Sequence, residues 1–244
     1  MGTSKSYDAP SSWSDFKSNT TRAAREEVVK PHRARSLVRS LVAHNGGRNE
    51  MARGGHRSAS GSAGSAAPAR DVAARLGAFI ADVGSIGFAE AAAKLGLGDL
   101  SGKPVSEILL ALLDRLGGNS STIDDADARQ ALSDLQQDLF AEATDAEDLE
   151  TILLSAAQNL EIILEKFFGY YIFEQFSRIC FERLVQRVGD LKATSFLNQI
   201  REFIQSALAN RAADKSLSKV DWAGAEGATI VSQILDQTLE VFGA

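Results

Sequence analysis

AEDLETILLSAAQNLEIILEKFFGYYIFEQFSRICFERLVQRV, residues 146–188, is the stretch on which the fold turns. Leu149, Leu153, Ala156, Leu160, Ile163 and Phe167 recur at steps of four and three. That spacing puts them on one face of an α-helix. Around Gly169 the pattern fills out, with Phe167, Phe168, Tyr170, Tyr171, Ile172, Phe173 and Phe176 leaving little polar face. A helix apolar nearly all round has to be enclosed by other helices. The stretch predicts a core and carries no recognisable chemistry.

Downstream, Gly189-Asp190 reads as a C-terminal glycine followed by a cap. Leu191, Phe196, Leu197, Ile200, Phe203, Ile204 and Leu208 share one side of the next predicted helix. A loop with Trp222, Gly224 and Gly227 leads into a last helix over residues 228–242. Upstream, a helix over 71–81 continues through Gly84 and Gly87 to residue 95. Gly96, Gly98 and Gly102 mark a tight connection, and Pro104 opens a helix striped by Ile108, Leu109, Leu112, Leu113 and Leu116. Thr122 with Asp125, and Thr144 with Glu147, have capping-box spacing ahead of two further helices. No segment alternates like a strand and no repeat is present. The predicted fold is all-α, a multi-helix bundle with short connections.

Charge divides the chain in two. Residues 1–70 hold twelve Lys and Arg against five Asp and Glu, and the rest hold fourteen against twenty-seven. We therefore expect a flexible, basic N-terminal arm over 1–69 and a helical domain over 70–244, which should fold by itself. In the arm, residues 8–19 are expected to be extended, with Trp13 and Phe16 as aromatic anchors on this chain or a partner. Residues 20–29 suggest a short helix that Pro31 interrupts. Residues 33–44 form a better amphipathic helix through Leu37, Val38, Leu41 and Val42, stopped by Asn45-Gly46-Gly47. Residues 54–69, GGHRSASGSAGSAAPA, bury too little to offset chain entropy and read as a linker.

Several function classes find no support. No uncharged apolar run approaches the ~18–20 residues that span a bilayer, and residues 1–19 lack the apolar core of a signal peptide, so a cytoplasmic protein is expected. Cys180, the single cysteine, lies between Ile179 and Phe181 and reads as a buried, inert thiol. His32, His44 and His56 have neither zinc spacing nor a cysteine pair beside them. The ten acids of residues 124–150 lack an EF-hand pattern and read as a solvated acidic face. With no nucleophile elbow and no phosphate-binding Gly-rich loop, the expectation is a non-enzyme without metal or cofactor. Arg22, Arg25, Lys30, Arg33, Arg35, Arg39, Arg48, Arg53 and Arg57 make nucleic acid an alternative partner, although no aromatics interleave with them.

The remaining signal is the first seven residues, MGTSKSY. Once Met1 is removed, Gly2 carries the free α-amine, and Thr3, Ser4, Lys5 and Ser6 precede the first bulky side chain, Tyr7. Such a tail can enter a narrow pocket. The same letters match an N-myristoylation signal, which would make a scaffold anchored through Gly2.

MGTSKSY, together with RSLVRSLVAHNGGRNEMARG (residues 35–54), LGLGDLSGKPVSEILLALLDRL (95–116) and GGNSSTIDDADARQALSDL (117–135), resembles the QatB family of the bacterial Qat anti-phage systems. The resemblance implies three neighbours: a large ATPase, a QueC-like enzyme and a TatD-like nuclease. It implies that the QueC-like enzyme could use the Gly2 α-amine as acceptor of a 7-deazapurine-type group. On that reading Gly2, Thr3, Ser4, Lys5, Ser6, Tyr7, Trp13 and Phe16 form the partner-binding tail.

Overall fold

A computed structural model describes residues 11–53, 66–100, 102–118, 122–209, 217 and 220–243. Among these residues there are eleven helices and no strand: α1 (Ser11–Ala23), α2 (Pro31–His44), α3 (Arg48–Arg53), α4 (Ala67–Ile86), α5 (Phe88–Lys94), α6 (Val105–Gly117), α7 (Ile123–Leu139), α8 (Ala146–Gln158), α9 (Leu160–Val188), α10 (Asp190–Ala209) and α11 (Ala225–Val241). The all-α expectation holds.

The 29 residues of α9 form the axis of the molecule. At 1.5 Å per residue they reach about 43 Å. Helices α1, α2, α4, α7, α8, α10 and α11 all pack against α9, as its all-round apolar surface requires. Phe167, Phe168, Tyr171, Ile172 and Phe176 are completely enclosed. The closest neighbour, α10, is admitted by Gly169, where an added Cβ would lie 2.7 Å from Leu208 Cδ1. Gly189, at φ +83°, turns the chain from α9 into α10 in a conformation that L side chains rarely adopt.

Where the fold departs from expectation, local chemistry explains the difference. The stripe of residues 149–167 spans two helices, not one. Asn159 leaves helical geometry at φ −122°, ψ 32°, and its side chain donates to Ser155 O at 3.2 Å. Asparagine competes for its own backbone in this way, and α8 thereby turns onto α4. Residues 11–23 are helical, not extended. Their serines and threonines do not break the helix, because Thr20 Oγ and Thr21 Oγ donate back to Phe16 O and Lys17 O, both at 2.8 Å. The helix ends at Ala23, short of the one expected over 20–29. Pro31 opens α2 as one of its first residues, where a missing N–H costs nothing.

Other boundaries shift by a residue or two. Asp145, not Thr144, caps α8, accepting from Asp148 N at 2.9 Å, while Thr144 N and Oγ donate to Asp148 Oδ2. Leu191, expected on the apolar side of α10, is 86% exposed. Thr122 and Asp125 do form the expected capping box on α7, with bonds of 3.1 and 2.7 Å. Thr122→Ala is expected to lower stability by about 1 kcal/mol in a denaturant melt, the usual loss for a removed cap.

The core runs across the compositional division at residue 69. Ala67–Ile86 is one helix, and Ala66 and Ala69 at its start are fully buried, so the final residues of the expected linker belong to α4. Phe16, Leu37, Val38, Leu41, Val42 and Met51 lie in the same continuous cluster as Phe167 and Phe176. Arg48 clamps α3 to α11 with bonds of 2.5 and 2.7 Å to the Asp236 carboxylate. Arg70 Nη1 donates to Ala52 O, joining α4 to the end of α3. Residues 54–65 lie outside the described residues, as do 1–10.

Candidate functional site

Of the residues expected to form the tail, Gly2, Thr3, Ser4, Lys5, Ser6 and Tyr7 lie outside the described residues. Trp13 and Phe16 are on the first turns of α1, and they have different fates. Phe16 is 3% exposed and meets Phe176 of α9 edge-on at 5.8 Å. It anchors on its own chain. Trp13 is half-buried, stacked on His44 of α2 at 3.7 Å with the Lys17 ammonium 4.5 Å from its ring centroid. Burial, with the nearby Lys17 charge, lowers the His44 pKa and favours the neutral imidazole in this stack. α1 is thus fixed to α2 and α9 at the point where the first ten residues join it.

A second polar assembly was not legible in the sequence. Asp127 and Asp134 of α7 were expected on a solvated face, yet each is only 5% exposed. They point at α9 and α10, where cations receive them. Arg178 Nε lies 3.0 and 2.9 Å from the two Asp127 carboxylate oxygens, and its Nη2 lies 3.6 Å from Asp124. Burial nevertheless outweighs Arg178 and raises the pKa of both Asp124 and Asp127. Further along the seam, Arg201 of α10 stands 3.5 Å from Asp134 and over the Tyr170 ring at 5.0 Å. Lys166 pairs with Asp138. Inside, Asn45 donates to Gln175 Oε1 at 3.0 Å, and Gln175 Nε2 donates to the Tyr171 hydroxyl at 2.8 Å. Burial holds the Tyr171 phenol far above its ordinary range. Asp125, Glu147 and Asp148 keep to the expected pattern, in the first turns of α7 and α8.

Glu174 is the one carboxyl here brought close to neutrality. Burial first, then the Asp134 charge, push its pKa up to about 7. Asp134 Oδ2 is buried and accepts no hydrogen bond, so a protonated Glu174 is a suitable donor to it. The folded state then holds a proton between about pH 4.5 and 7 that the unfolded chain has lost. Stability from this group is fullest at the acid end and falls as pH rises through 7. Glu174→Gln is therefore expected to raise the melting temperature near pH 8 and to change it little near pH 5. An identical shift at both would mean that the native carboxyl is ionised throughout.

Arranged this way, the seam can hold three helices in register, with its charges paired across α7, α9 and α10. Among the described residues, no group of three or more His, Cys, Asp or Glu is placed to hold a metal ion. Cys180 is buried as expected, and burial pushes its thiol up to about 12, where it is not a nucleophile at neutral pH. No helix among the described residues is long and apolar enough to cross a membrane.

These features define a class: an all-helical protein wound around one enclosed helix, with a paired ionic seam inside it. Within that class the chain belongs to the QatB family. The family model of the Qat anti-phage system associated protein QatB matches residues 54–242, well over half of the chain. This is an anti-phage defence protein of the Qat system. No curated protein and no solved structure matches it. The match takes in α4 to α11, including the stretches 95–116 and 117–135. It begins after the tail, after Trp13 and Phe16, and after nearly all of the 35–54 stretch.

Proposed function

We propose that this chain is a non-enzymatic subunit of a Qat defence complex whose N-terminal tail enters the active site of a QueC-like partner. Gly2-Thr3-Ser4 is the segment that enters, and the Gly2 α-amine is the acceptor of a 7-deazapurine-type group. The chemistry belongs to the partner. ATP adenylates a carboxylate on the deazapurine and pyrophosphate leaves. The unprotonated Gly2 nitrogen then attacks the acyl-adenylate, an amide bond forms, the amine gives up a proton, and AMP departs. An α-amine with a pKa near 8 supplies a useful nucleophilic fraction at neutral pH.

The observation that carries this reading is the sequence MGTSKSY at the start of a chain that belongs to this family. The packing of Phe16 and Trp13 supports it, because a partner gripping residues 2–7 would pull against a helix fixed to the core. The ATPase and the TatD-like nuclease are the further subunits proposed, in the cytoplasm where ATP is supplied.

The test is the intact mass of the N-terminal peptide after co-expression with the neighbouring genes. A deazapurine amide on Gly2 is the expected result. An unmodified glycine in cells that still resist phage would overturn the acceptor role, and a myristoyl adduct would put a membrane anchor in its place.

A further inference from the structure

Helices α1 and α9 run side by side in the same direction. Phe16 meets Phe176, and Thr21 Oγ accepts from Arg183 Nε at 3.4 Å. Their C-terminal ends therefore come together, α1 closing at Ala23 and α9 at Val188. Between them lies an open pocket of about 310 Å³ lined by Ser18, Thr21, Arg22, Arg25, Arg183 and Arg187. No carboxylate is in the lining, and among the described residues none of these four arginines is in an ion pair.

Cations at helix C-termini have an ordinary explanation, since each end presents roughly half a negative charge. Two ends supply about one charge against four guanidiniums. Arg183 and Arg187 are also four apart on one helix, a like-charge spacing that destabilises it. Two other arginines of the basic segment are paired, Arg33 with Glu26 and Arg48 with Asp236 and Glu240, while Arg35 and Arg39 stand exposed on α2 and, among the described residues, no second helix brings further arginines beside them in a pocket. The Thr21 hydroxyl hydrogen is committed to Lys17 O, so Thr21 orients Arg183, and Ser18 brings a second hydroxyl to the lining.

We propose that this pocket is a phosphate-recognition site, taking either the backbone of a single-stranded nucleic acid or a nucleotide polyphosphate. Guanidiniums converging from two helices match the oxygens of successive phosphates. No aromatic side chain lines the pocket, so it has no platform for stacking a base and reads phosphate without sequence. The site uses two residues of α1 or just beyond it and two of α9. It is independent of what happens at Gly2.

The test uses the full-length protein with two probes, a fluorescein-labelled oligothymidylate about 20 nucleotides long and inorganic tripolyphosphate. Four phosphate contacts on a single strand predict a slope of about 3 in log Kd against log salt. Arg22→Gln with Arg25→Gln should roughly halve that slope and weaken binding about tenfold at low salt, and Arg183→Gln with Arg187→Gln should do the same. Both pairs should still melt cooperatively as folded proteins, so that lost binding is not lost structure. Arg35→Gln with Arg39→Gln, on the exposed side of α2, should leave binding unchanged. Oligothymidylate binding identifies the backbone as the source. Tripolyphosphate stabilisation that needs the same four arginines, without oligothymidylate binding, identifies a short polyphosphate. Binding of neither probe at about 50 mM salt, or an equal loss in the α2 pair, would overturn the site.

Discussion

Gly2→Val is expected to abolish protection in a phage plaque assay while leaving the protein folded and abundant. Valine places a β-branched side chain on the carbon bearing the reacting amine and restricts the backbone beside it. A pocket shaped for an unbranched α-carbon would exclude it. The substitution lies fourteen residues before Phe16, so the helical core is expected to fold unchanged, and co-purification of the proposed QueC-like partner serves as the folding control. Thr3→Ala should do less, because it removes a hydroxyl and a methyl without adding bulk. The comparison has to be made at equal protein levels. Full protection by Gly2→Val would dismiss the α-amine and leave the tail a dispensable end.

Phe167→Ala is expected to be the most damaging single truncation in the core, lowering stability by roughly 3–5 kcal/mol. Its ring is fully enclosed on α9 and lies 5.4 Å from that of Phe168. A control sits on the same helix. Phe181 is 43% exposed, and Phe181→Ala should stay within about 0.5 kcal/mol. Chemical denaturation of the two variants makes the measurement. Similar losses would mean that the enclosed face of α9 has been misassigned.

Much of this architecture is legible in residue order because its signals are local. The stripes of α6 and α10, the Thr122–Asp125 box and the stop at Gly189 all rest on residues a few positions apart. What escapes the sequence is decided at a distance. Asp127 looks like any other acid in a run of ten until Arg178, 51 residues on, is folded over it. Residues 11–23 have the composition of a loop and become a helix because α9 supplies a surface for Phe16. Pocket formation is equally remote: Arg22 and Arg25 read as part of a diffuse basic arm, and nothing local brings Arg183 and Arg187 beside them. The tail is the reverse case, a candidate site resting on sequence and family alone.

The late position of α9 sets the order in which this protein can be assembled on the ribosome. The backbone N–H of Val29 bonds to Gln199, 170 residues further on, and α1 and its neighbour α2 lack the surface of α9 until that helix has been made. At about 5–20 residues per second, translation leaves the N-terminal helices undocked for on the order of ten seconds or more. Throughout that interval the first residues are the oldest part of an unfinished chain, open to the enzymes that trim a nascent amino terminus. Exposure of Gly2 can therefore precede closure of the core, in time for the acceptor role proposed for it.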